Sequence, residues 1–422
     1  MGITAVIGLQ WGDEGKGKVV DAVCQGADVV VRCQGGANAG HTVVVGEDLF
    51  ILHIVPSGIL TENILCLIGN GVVVDLEVLK GEIEKIEAAG FKTAGRLLLS
   101  TGAHVVLPIH KRVEAVQEEK RGDRKLDTTK RGIGPCYSDK YARLGIRVAD
   151  LLEPATLAEK VSALCGTYRE LADGEPLSTI DENLEHCLLH TDMVKELAGD
   201  TGSIVRRSAY DGKTIILEGS QGFLLDVDHG TYPFVTSSNT GIHGLANGAG
   251  LAPADIGRVL GVAKAYTTRV GQGPLPTLME EPFQTLVREK GKEFGATTGR
   301  PRRCGWLDLS AIRYACKLNG VTSLAVTKLD TLAGLEQLRL CEGYESGGAF
   351  LDTFPADIHL LENCTPRYTA TPSWGEIDGL TDSSDLPTTA LRYLERIQEA
   401  AACGLDLISI GPGREQLIRV ES

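Results

Sequence analysis

Along the chain, short runs dominated by apolar and β-branched residues alternate with longer stretches whose apolar positions recur every three or four residues. The short runs are Ile3–Leu9, Val29–Cys33, Ile64–Ile68, Thr214–Leu217, Ser323–Leu329 and Leu405–Ile410. They are continuous rather than alternating, which predicts strands buried on both faces. The periodic stretches Leu76–Ala89, Leu157–Leu171, Asp181–Leu197, Leu307–Leu318 and Thr388–Ala402 predict helices. Such strands set between helices predict an α/β protein with a mainly parallel central sheet flanked by helices. Residues from about 100 to 205 are expected to form a mostly helical cap on that sheet. No internal repeat, low-complexity tract or Pro/Gly/Ser linker divides the sequence, so residues 1–422 are expected to form one domain.

Composition narrows the class. Apolar residues make up 43% and charged residues 23% of the 422, which excludes wholesale disorder. A net charge of −14 makes a poor nucleic-acid binder. No apolar run approaches the ~18 residues of a membrane helix. The opening MGITAVIGLQ lacks the basic flank of a signal peptide, and Val6 stands where a myristoylation motif needs Ser or Thr. Eleven cysteines with no C-x-x-C pair are expected to be reduced thiols of a cytoplasmic protein. Glycine, 51 residues, is abundant enough to suggest loops that approach ligands closely. Charge is uneven: Lys111 to Arg147 holds eleven Lys and Arg against six Asp and Glu, and Arg300, Arg302 and Arg303 form a second basic island. Any single lysine or arginine reads as solvated surface, but two islands rich in Gly and Thr favour anion recognition.

Six segments carry candidate chemistry. In GLQWGDEGKGKVVD, Gly8–Asp21, a predicted strand runs into a glycine loop and then a helix, so Gly12, Gly15 and Gly17 free backbone N–H groups to face an anion. Gly12, Gly17 and Lys18 match the front of a phosphate loop, but Val19 replaces the metal-binding hydroxyl and Asp13 lies inside the loop. Asp13 makes sense there as a metal ligand or a base. QGGANAGHT, Gln34–Thr42, places His41 on a second glycine loop. A lone histidine is as readily structural as catalytic, but beside a phosphate loop it is a candidate acid. Thr128, Thr129, Lys130 and Arg131 read equally as a phosphate clamp or a basic turn. Gln221, just after a strand, precedes the polar row Thr236–Asn239. EFGATTGRPRRCGWLD, Glu293–Asp308, suits a mobile loop whose arginines grip a carboxylate. SLAVTKLD, Ser323–Asp330, ends in a Thr-Lys-Leu-Asp element, in which a carboxylate can accept both the N1–H and the exocyclic N–H of guanine. The final SIGPGR, Ser409–Arg414, could close over the same base.

Taken in order, GLQWGDEGKGK, QGGANAGHT, TTKRGIGP, DVDHGTYPFVTSSNT, FGATTGRPRRCGWLD, TKLD and SIGPGR resemble the adenylosuccinate synthetases over nearly the whole chain. Residues between about 150 and 210 match only loosely, and nothing is carried over from them. The resemblance implies a fold related to the phosphate-loop NTPases and a homodimer. It implies the ligation of L-aspartate to IMP with GTP as co-substrate and one Mg²⁺ per active site, giving adenylosuccinate, GDP and phosphate. It implies catalytic roles for Asp13 as base, His41 as acid and Gln221 at the 6-oxygen of IMP. GTP would meet Gly12, Asp13, Glu14, Gly15, Lys16, Gly17 and Lys18, then Gly40, His41, Thr42 and Arg302. Its guanine would meet Lys328, Leu329, Asp330, Ser409, Ile410 and Gly411. IMP would meet Asp13, Glu14, Gly15 and Lys16, the run Asn38, Ala39, Gly40 and His41, and Thr129, Gln221, Thr236 and Arg300. Arg143 would reach the IMP of the neighbouring subunit. Aspartate would meet the loop of Ala296, Thr297, Thr298, Gly299, Arg300, Pro301 and Arg302. Asp13 and the Gly40 carbonyl would hold Mg²⁺, which accounts for the missing hydroxyl at Val19.

Departures are few. Ala37 stands where many members carry a larger polar residue, and Pro301 where some carry Arg. Residues 340–385 suggest a shortened C-terminal hairpin. Two rival readings remain. A relative acting on dGMP with ATP conflicts with Asp13 and with the guanine-reading element. A GTP-binding switch conflicts with Val19 and leaves the arginine loop without a role.

Overall fold

The computed structural model describes residues 2–46, 48–172, 177–295, 299–355 and 357–420. Its centre is an eleven-stranded sheet. Across it the strands run Leu417–Arg419, Gly404–Ser409, Ser323–Thr327, Ile256–Lys264, Ile3–Gly8, Ile215–Gly222, Val29–Gly35, Leu65–Val74, Leu97–Ser100 and Ala198–Gly199, with His104–Val105 also on Leu65–Val74. All pairings are parallel except that of Leu417–Arg419. The continuous apolar runs have a direct physical reading. Val6, Val30, Cys66 and Ile68 enter the apolar cluster on one side of the sheet, whereas Ile7, Val31, Cys33 and Leu67 enter the cluster on the other. Successive side chains point to opposite faces, both faces are covered, and so every position must be apolar.

From Ile3–Gly8 the chain first builds outward through Val29–Gly35, Leu65–Val74 and Leu97–Ser100. It later fills in Ile215–Gly222 beside the first strand, then continues on the opposite flank through Ile256–Lys264, Ser323–Thr327 and Gly404–Ser409. The direction of winding therefore reverses at the first strand. In open parallel sheets that reversal leaves a crevice at the carboxyl ends of the strands, where ligands bind.

Several boundaries differ from the sequence reading, each with a local cause. Ile256–Lys264 was not anticipated as a strand, because Gly257, Arg258 and Gly261 interrupt its apolar run. The helix expected over Leu307–Leu318 begins at Leu309: Leu307–Asp308 pairs with Leu340–Cys341, and Asp308 caps the helix by accepting from Ala311 N at 3.0 Å. The stretch Asp181–Leu197 forms two helices, Ile180–Leu188 and Thr191–Leu197. Ser323–Leu329 ends as a strand at Thr327, since Lys328 adopts a left-handed φ of 62°. Residues 100–205 are mostly helical, and side chains such as Val113, Leu157, Val161 and Val194 join the same apolar cluster as the sheet. Leu338–Ser346, Ala349–Leu351 and Thr365–Thr371 form the antiparallel C-terminal hairpin. All eleven cysteines are unpaired. Among the described residues no helix is long and apolar enough to cross a membrane.

Two glycines make the packing testable. A Cβ on Gly222 would lie 2.1 Å from Gln10 O and 2.3 Å from Gly12 N, whereas Gly81, inside the helix Leu76–Ala88, has nothing within 4 Å. Gly222→Ala is expected to destabilise by about 1–3 kcal/mol or more through overpacking. Gly81→Ala is expected to stabilise by roughly 0.5–1 kcal/mol through helix propensity. Denaturant melts of the two variants should shift in opposite directions. A common sign would contradict this packing.

Candidate active site

A cavity of about 920 Å³ opens at the carboxyl edge of the sheet. Its first wall is the loop between the strand Ile3–Gly8 and the helix Lys16–Val23. Glu14 folds back beneath that loop and is fully buried. Its Oε1 accepts from Gln10 N at 3.0 Å and Gly12 N at 2.9 Å, and its Oε2 binds Lys16 Nζ at 2.6 Å. Thr327 Oγ1 donates to the Glu14 carbonyl at 2.6 Å, tying the loop to a second strand. Asp13, held at φ 59°, faces the cavity, and its Oδ2 lies 2.8 Å from Arg302 Nε. Lys18 Nζ donates to Ser409 Oγ, Gly411 O and Gln416 O at 2.7–2.8 Å, which docks the C-terminal loop on the helix Lys16–Val23. Burial brings the Lys18 ammonium down to about 8 despite the pull of Asp330.

Gln34 and Gln221 build the second wall. Gln34 Nε2 donates to Gln221 Oε1 at 3.0 Å, Gln221 Nε2 to Asn38 Oδ1 at 3.1 Å, and Asn38 Nδ2 to Thr236 Oγ1 at 3.3 Å. This chain of amides fixes which end of each carboxamide faces the cavity. Beside it His41 is nearly buried. Its Nε2 donates to Ser220 O at 3.0 Å, while Nδ1 lies against Glu218 Oε1 and 2.8 Å from Arg32 Nη1. Burial and Arg32 push the imidazole below its usual value, against the opposing pull of Glu218. Burial alone would raise Glu218, but His41, Arg32 and the Ser57 amide hold it at about 2.

The third wall carries the arginine loop. Arg302 Nη1 donates to Glu293 Oε2 at 2.5 Å, and Lys264 Nζ donates to Glu293 Oε1 at 2.8 Å. Burial would raise the Glu293 carboxyl, yet these two cations outweigh it and hold the group at about 2. Arg300 Nη2 reaches Asp127 O at 3.1 Å, while Arg303 Nη2 is taken by Gly271 O and Gly273 O. At the far end Lys328 Nζ donates to Gly291 O at 2.8 Å. Asp330 Oδ1 is buried with no hydrogen-bond partner, and burial raises this carboxyl.

The cavity thus gathers Gly12, Asp13, Gly15, Lys16, Gly17 and Lys18 with Asn38–Thr42, Thr129, Gln221, Thr236, Arg300, Arg302, Lys328, Ser409 and Gly411. Other expected residues do not form its wall. Glu14 lies under the loop, and Leu329 and Ile410 are in the core. Asp330, Gly299 and Pro301 are adjacent to it in the chain. Arg143 is exposed at the end of the helix Ile133–Ala142. Ala296, Thr297 and Thr298 lie outside the described residues. Of the two departures, Ala37 is fully buried in the core, and Pro301 bridges to Phe294 at the neck of the arginine loop. Sequence reasoning missed Arg32, Gln34, Glu218, Lys264 and Glu293. Three of these announce themselves as charges that follow apolar runs in strands: Arg32 after VVV, Glu218 after IIL and Lys264 after VLGVA.

Comparison with known proteins decides among the readings this geometry allows. The family model for adenylosuccinate synthetase matches residues 5–418. The chain belongs to the adenylosuccinate synthetase family. It is 45% identical over 426 residues to the adenylosuccinate synthetase of Trichlorobacter lovleyi, covering 100% of this chain and 99% of that one. It is 48% identical to that of Moorella thermoacetica, with 100% of both covered. The structure of the fully ligated adenylosuccinate synthetase from Plasmodium falciparum superposes with a TM-score of 0.94 at 35% identity, over 100% of both chains. The succinoaminodeoxyadenylate synthetase of cyanophage S-2L, bound to dGMP and dATP, superposes at 0.63 with 20% identity over 100% of this chain and 96% of that one, which is a likeness of fold alone. As an adenylosuccinate synthetase the chain is a GTP-binding ligase of AMP biosynthesis that forms a C–N bond, and the switch and dGMP readings fall away.

The Arg32–His41–Glu218 cluster predicts how stability follows pH. The folded state holds His41 below its ordinary 6.5 and Glu218 below its ordinary 4.5. Below those values the unfolded chain binds more protons than the folded one, so stability falls with acid. The contribution is complete above about pH 6.5 and is lost on the way down to about 2, amounting to a few kcal/mol. A His41→Asn/Glu218→Gln double variant should show a shallower fall in melting temperature between neutral and acidic pH than the native chain. Identical slopes would rule the cluster out as the source.

Proposed function

We propose that this chain ligates L-aspartate to IMP in two steps at this cavity. In the first, the Asp13 carboxylate takes the N1 proton of IMP, and the negatively charged 6-oxygen bonds to the γ-phosphorus of GTP. The bond from that phosphorus to the β–γ bridging oxygen breaks, and His41 supplies the proton that stabilises departing GDP. In the second, the aspartate amine bonds to C6 of 6-phosphoryl-IMP, and inorganic phosphate leaves with the former 6-oxygen. Phosphorylation turns a poor leaving oxygen into a good one, which is why a nucleoside triphosphate is consumed.

One observation carries this reading: a carboxylate, Asp13, sits inside a phosphate loop that shares its cavity with the ordered amides of Gln221 and Asn38. A simple nucleotide-binding loop has no use for that carboxylate, since it repels phosphate; a loop that must also deprotonate a purine does. Gln221 would bind the 6-oxygen, and Asn38, Thr129, Thr236 and Arg300 would hold the rest of IMP. The buried Asp330 Oδ1 without a partner suits the paired donors of guanine, with the stem of Lys328 against the ring. Arg300 and Arg302, with the loop from Ala296 to Pro301, would receive the aspartate carboxylates. His41 Nε2 donates to Ser220 O, so acting as the acid requires it to exchange that carbonyl for a phosphate oxygen.

Mg²⁺ fits the donors present. No three His, Cys, Asp or Glu converge among the described residues, so there is no all-protein cage. The Asp13 carboxylate and the Gly40 carbonyl both line the cavity, the sparse donor set that Mg²⁺ keeps when phosphates and water complete its shell. When bound it would neutralise charge on the phosphates. The exposure of Arg143 at a helix end suits a homodimer in which it reaches the IMP of the other subunit. Eleven unpaired thiols suit the cytoplasm.

The test is a spectrophotometric assay of the purine absorbance with IMP, L-aspartate, GTP and Mg²⁺, with cuvettes in which ATP replaces GTP or dGMP replaces IMP. Turnover should need all the natural substrates. Asp13→Ala should lower it by about 10²–10⁴-fold, the usual worth of a general base. Asp330→Ala should raise the KM for GTP by about tenfold or more, as lost hydrogen bonds of ~1–3 kcal/mol require, with little change for IMP. Turnover with dGMP and ATP, or GTP hydrolysis without purine change, would overturn the assignment.

A further inference from the structure

Glu293 has no place in the ligand-facing groups above, yet it organises them. Its carboxylate is wholly buried. Oε1 accepts from Lys264 Nζ at 2.8 Å and from the Tyr266 hydroxyl, and Oε2 accepts from Arg302 Nη1 at 2.5 Å. Lys264, 1% exposed, also donates to Thr268 Oγ1 at 2.8 Å. Arg302 therefore stands between two carboxylates, with Glu293 behind it and Asp13 in front, 2.8 Å from Nε. The same residues close the neck of the arginine loop: Arg302 N donates to Glu293 O at 2.9 Å, and Gly295 N to Arg300 O at 2.8 Å.

The charge count is informative. A buried carboxylate needs a cation, and Lys264 alone supplies one for Glu293. The hold of Glu293 on Arg302 is therefore not required for burial. What it does is geometric. A guanidinium is a rigid plane, and a hydrogen bond at Nη1 together with the ion pair to Asp13 beside Nε limits its freedom to turn. Arg302 lines the cavity; among the described residues only its Nη1 makes a side-chain hydrogen bond, while Nε lies against Asp13 as an ion pair without one and Nη2 has none.

We propose that Glu293, backed by Lys264, is a positioning residue for the ligation: it sets the plane of the Arg302 guanidinium so that Nε holds the Asp13 carboxylate and Nη2 is left for an anionic group of the substrates. The inference rests on the reaction proposed above. It joins the neck of the arginine loop to the base in the phosphate loop through one planar group.

The test compares Glu293→Gln, the charge-balanced double variant Lys264→Met/Glu293→Gln and the charge-keeping Glu293→Asp. The carboxamide cannot accept from both cations at once, so Glu293→Gln frees Arg302 while keeping the shape of the side chain. The expected result is a kcat lowered by about 10- to 100-fold, the effect of a misplaced catalytic group. The KM for aspartate should rise, and the KM for GTP should stay within about twofold, since uniform binding is not what is lost. Glu293→Asp should recover part of kcat, and the double variant should regain the native melting temperature without regaining kcat. Full kcat in Glu293→Gln, or a kcat that tracks melting temperature through all three variants, overturns the inference. A crystal structure of ligand-free Glu293→Gln reads the clamp independently of turnover. Arg302 Nε should have left Asp13, and a guanidinium still within about 3 Å of it overturns the inference. A native chain that makes no adenylosuccinate would instead sink the proposed reaction, with the crystal structure still judging the clamp.

Discussion

The site depends on one buried carboxylate, that of Glu14. A helix can offer its N-terminal amides to an anion only if the loop leading into it is held open from below. Glu14 does this by accepting from the amides of Gln10 and Gly12 and binding the Lys16 ammonium, all under the loop. Thr327 then ties the Glu14 carbonyl to the strand that ends in the Thr-Lys-Leu-Asp element. The glycine loop and the element proposed to read guanine are thus held in register by the same residue. Gly8 and Gly222 are glycines because any Cβ there would run into this carboxylate, at 2.4 and 2.3 Å.

The same device recurs along the carboxyl edge of the sheet. Arg32, Glu218 and Lys264 each place a full charge directly after a run of apolar residues or glycine in a strand. Each is paired: Arg32 with Glu218 at 2.9 Å, and Lys264 with Glu293 at 2.8 Å. Replacing such pairs by apolar residues is often neutral or favourable for stability. Their presence at the ligand edge, on neighbouring strands of one sheet, marks them as orienting groups for His41 and Arg302 rather than as supports of the fold.

The sheet and its flanking helices were legible because burial on both faces demands unbroken apolar runs, and Ile3–Gly8, Val29–Gly35 and Leu65–Val74 have them. The central strand Ile256–Lys264 was not, because Gly261 leaves room for the Leu9 side chain, which a Cβ there would meet at 2.8 Å, and Arg258 pairs with Asp406 at the opposite end. Tertiary contacts there outweigh the local pattern. The cavity-lining residues were legible as motifs, since Asp13, Asn38, His41, Gln221 and Lys328 sit in short, chemically odd segments. Their supports were not. Glu218 and Glu293 act through partners 177 and 9 residues away, His41 and Arg302, and only folding brings the first pair together. A lone charge inside a strand-like run is the signal that would have found Arg32, Glu218 and Lys264.

The placement of Asp13 ties these constraints together. A carboxylate in an anion-binding loop makes the potential more negative where an anion would sit, and φ 59° is a conformation that L residues adopt at a cost. On the proposed reaction, both disadvantages would follow from having one loop serve two reactants. The left-handed turn at Asp13, between the positive-φ residues Gly12 and Gly15, sends the carboxylate into the cavity while the neighbouring amides stay on the helix axis. Arg302 then lies against its charge from the opposite wall. Phosphate and carboxylate can share the loop because that neutralising cation is supplied by a different segment, one that lies beside the segment expected to receive aspartate. On the proposed reaction, one guanidinium would thereby join the segment for the third substrate to the group that acts on the first.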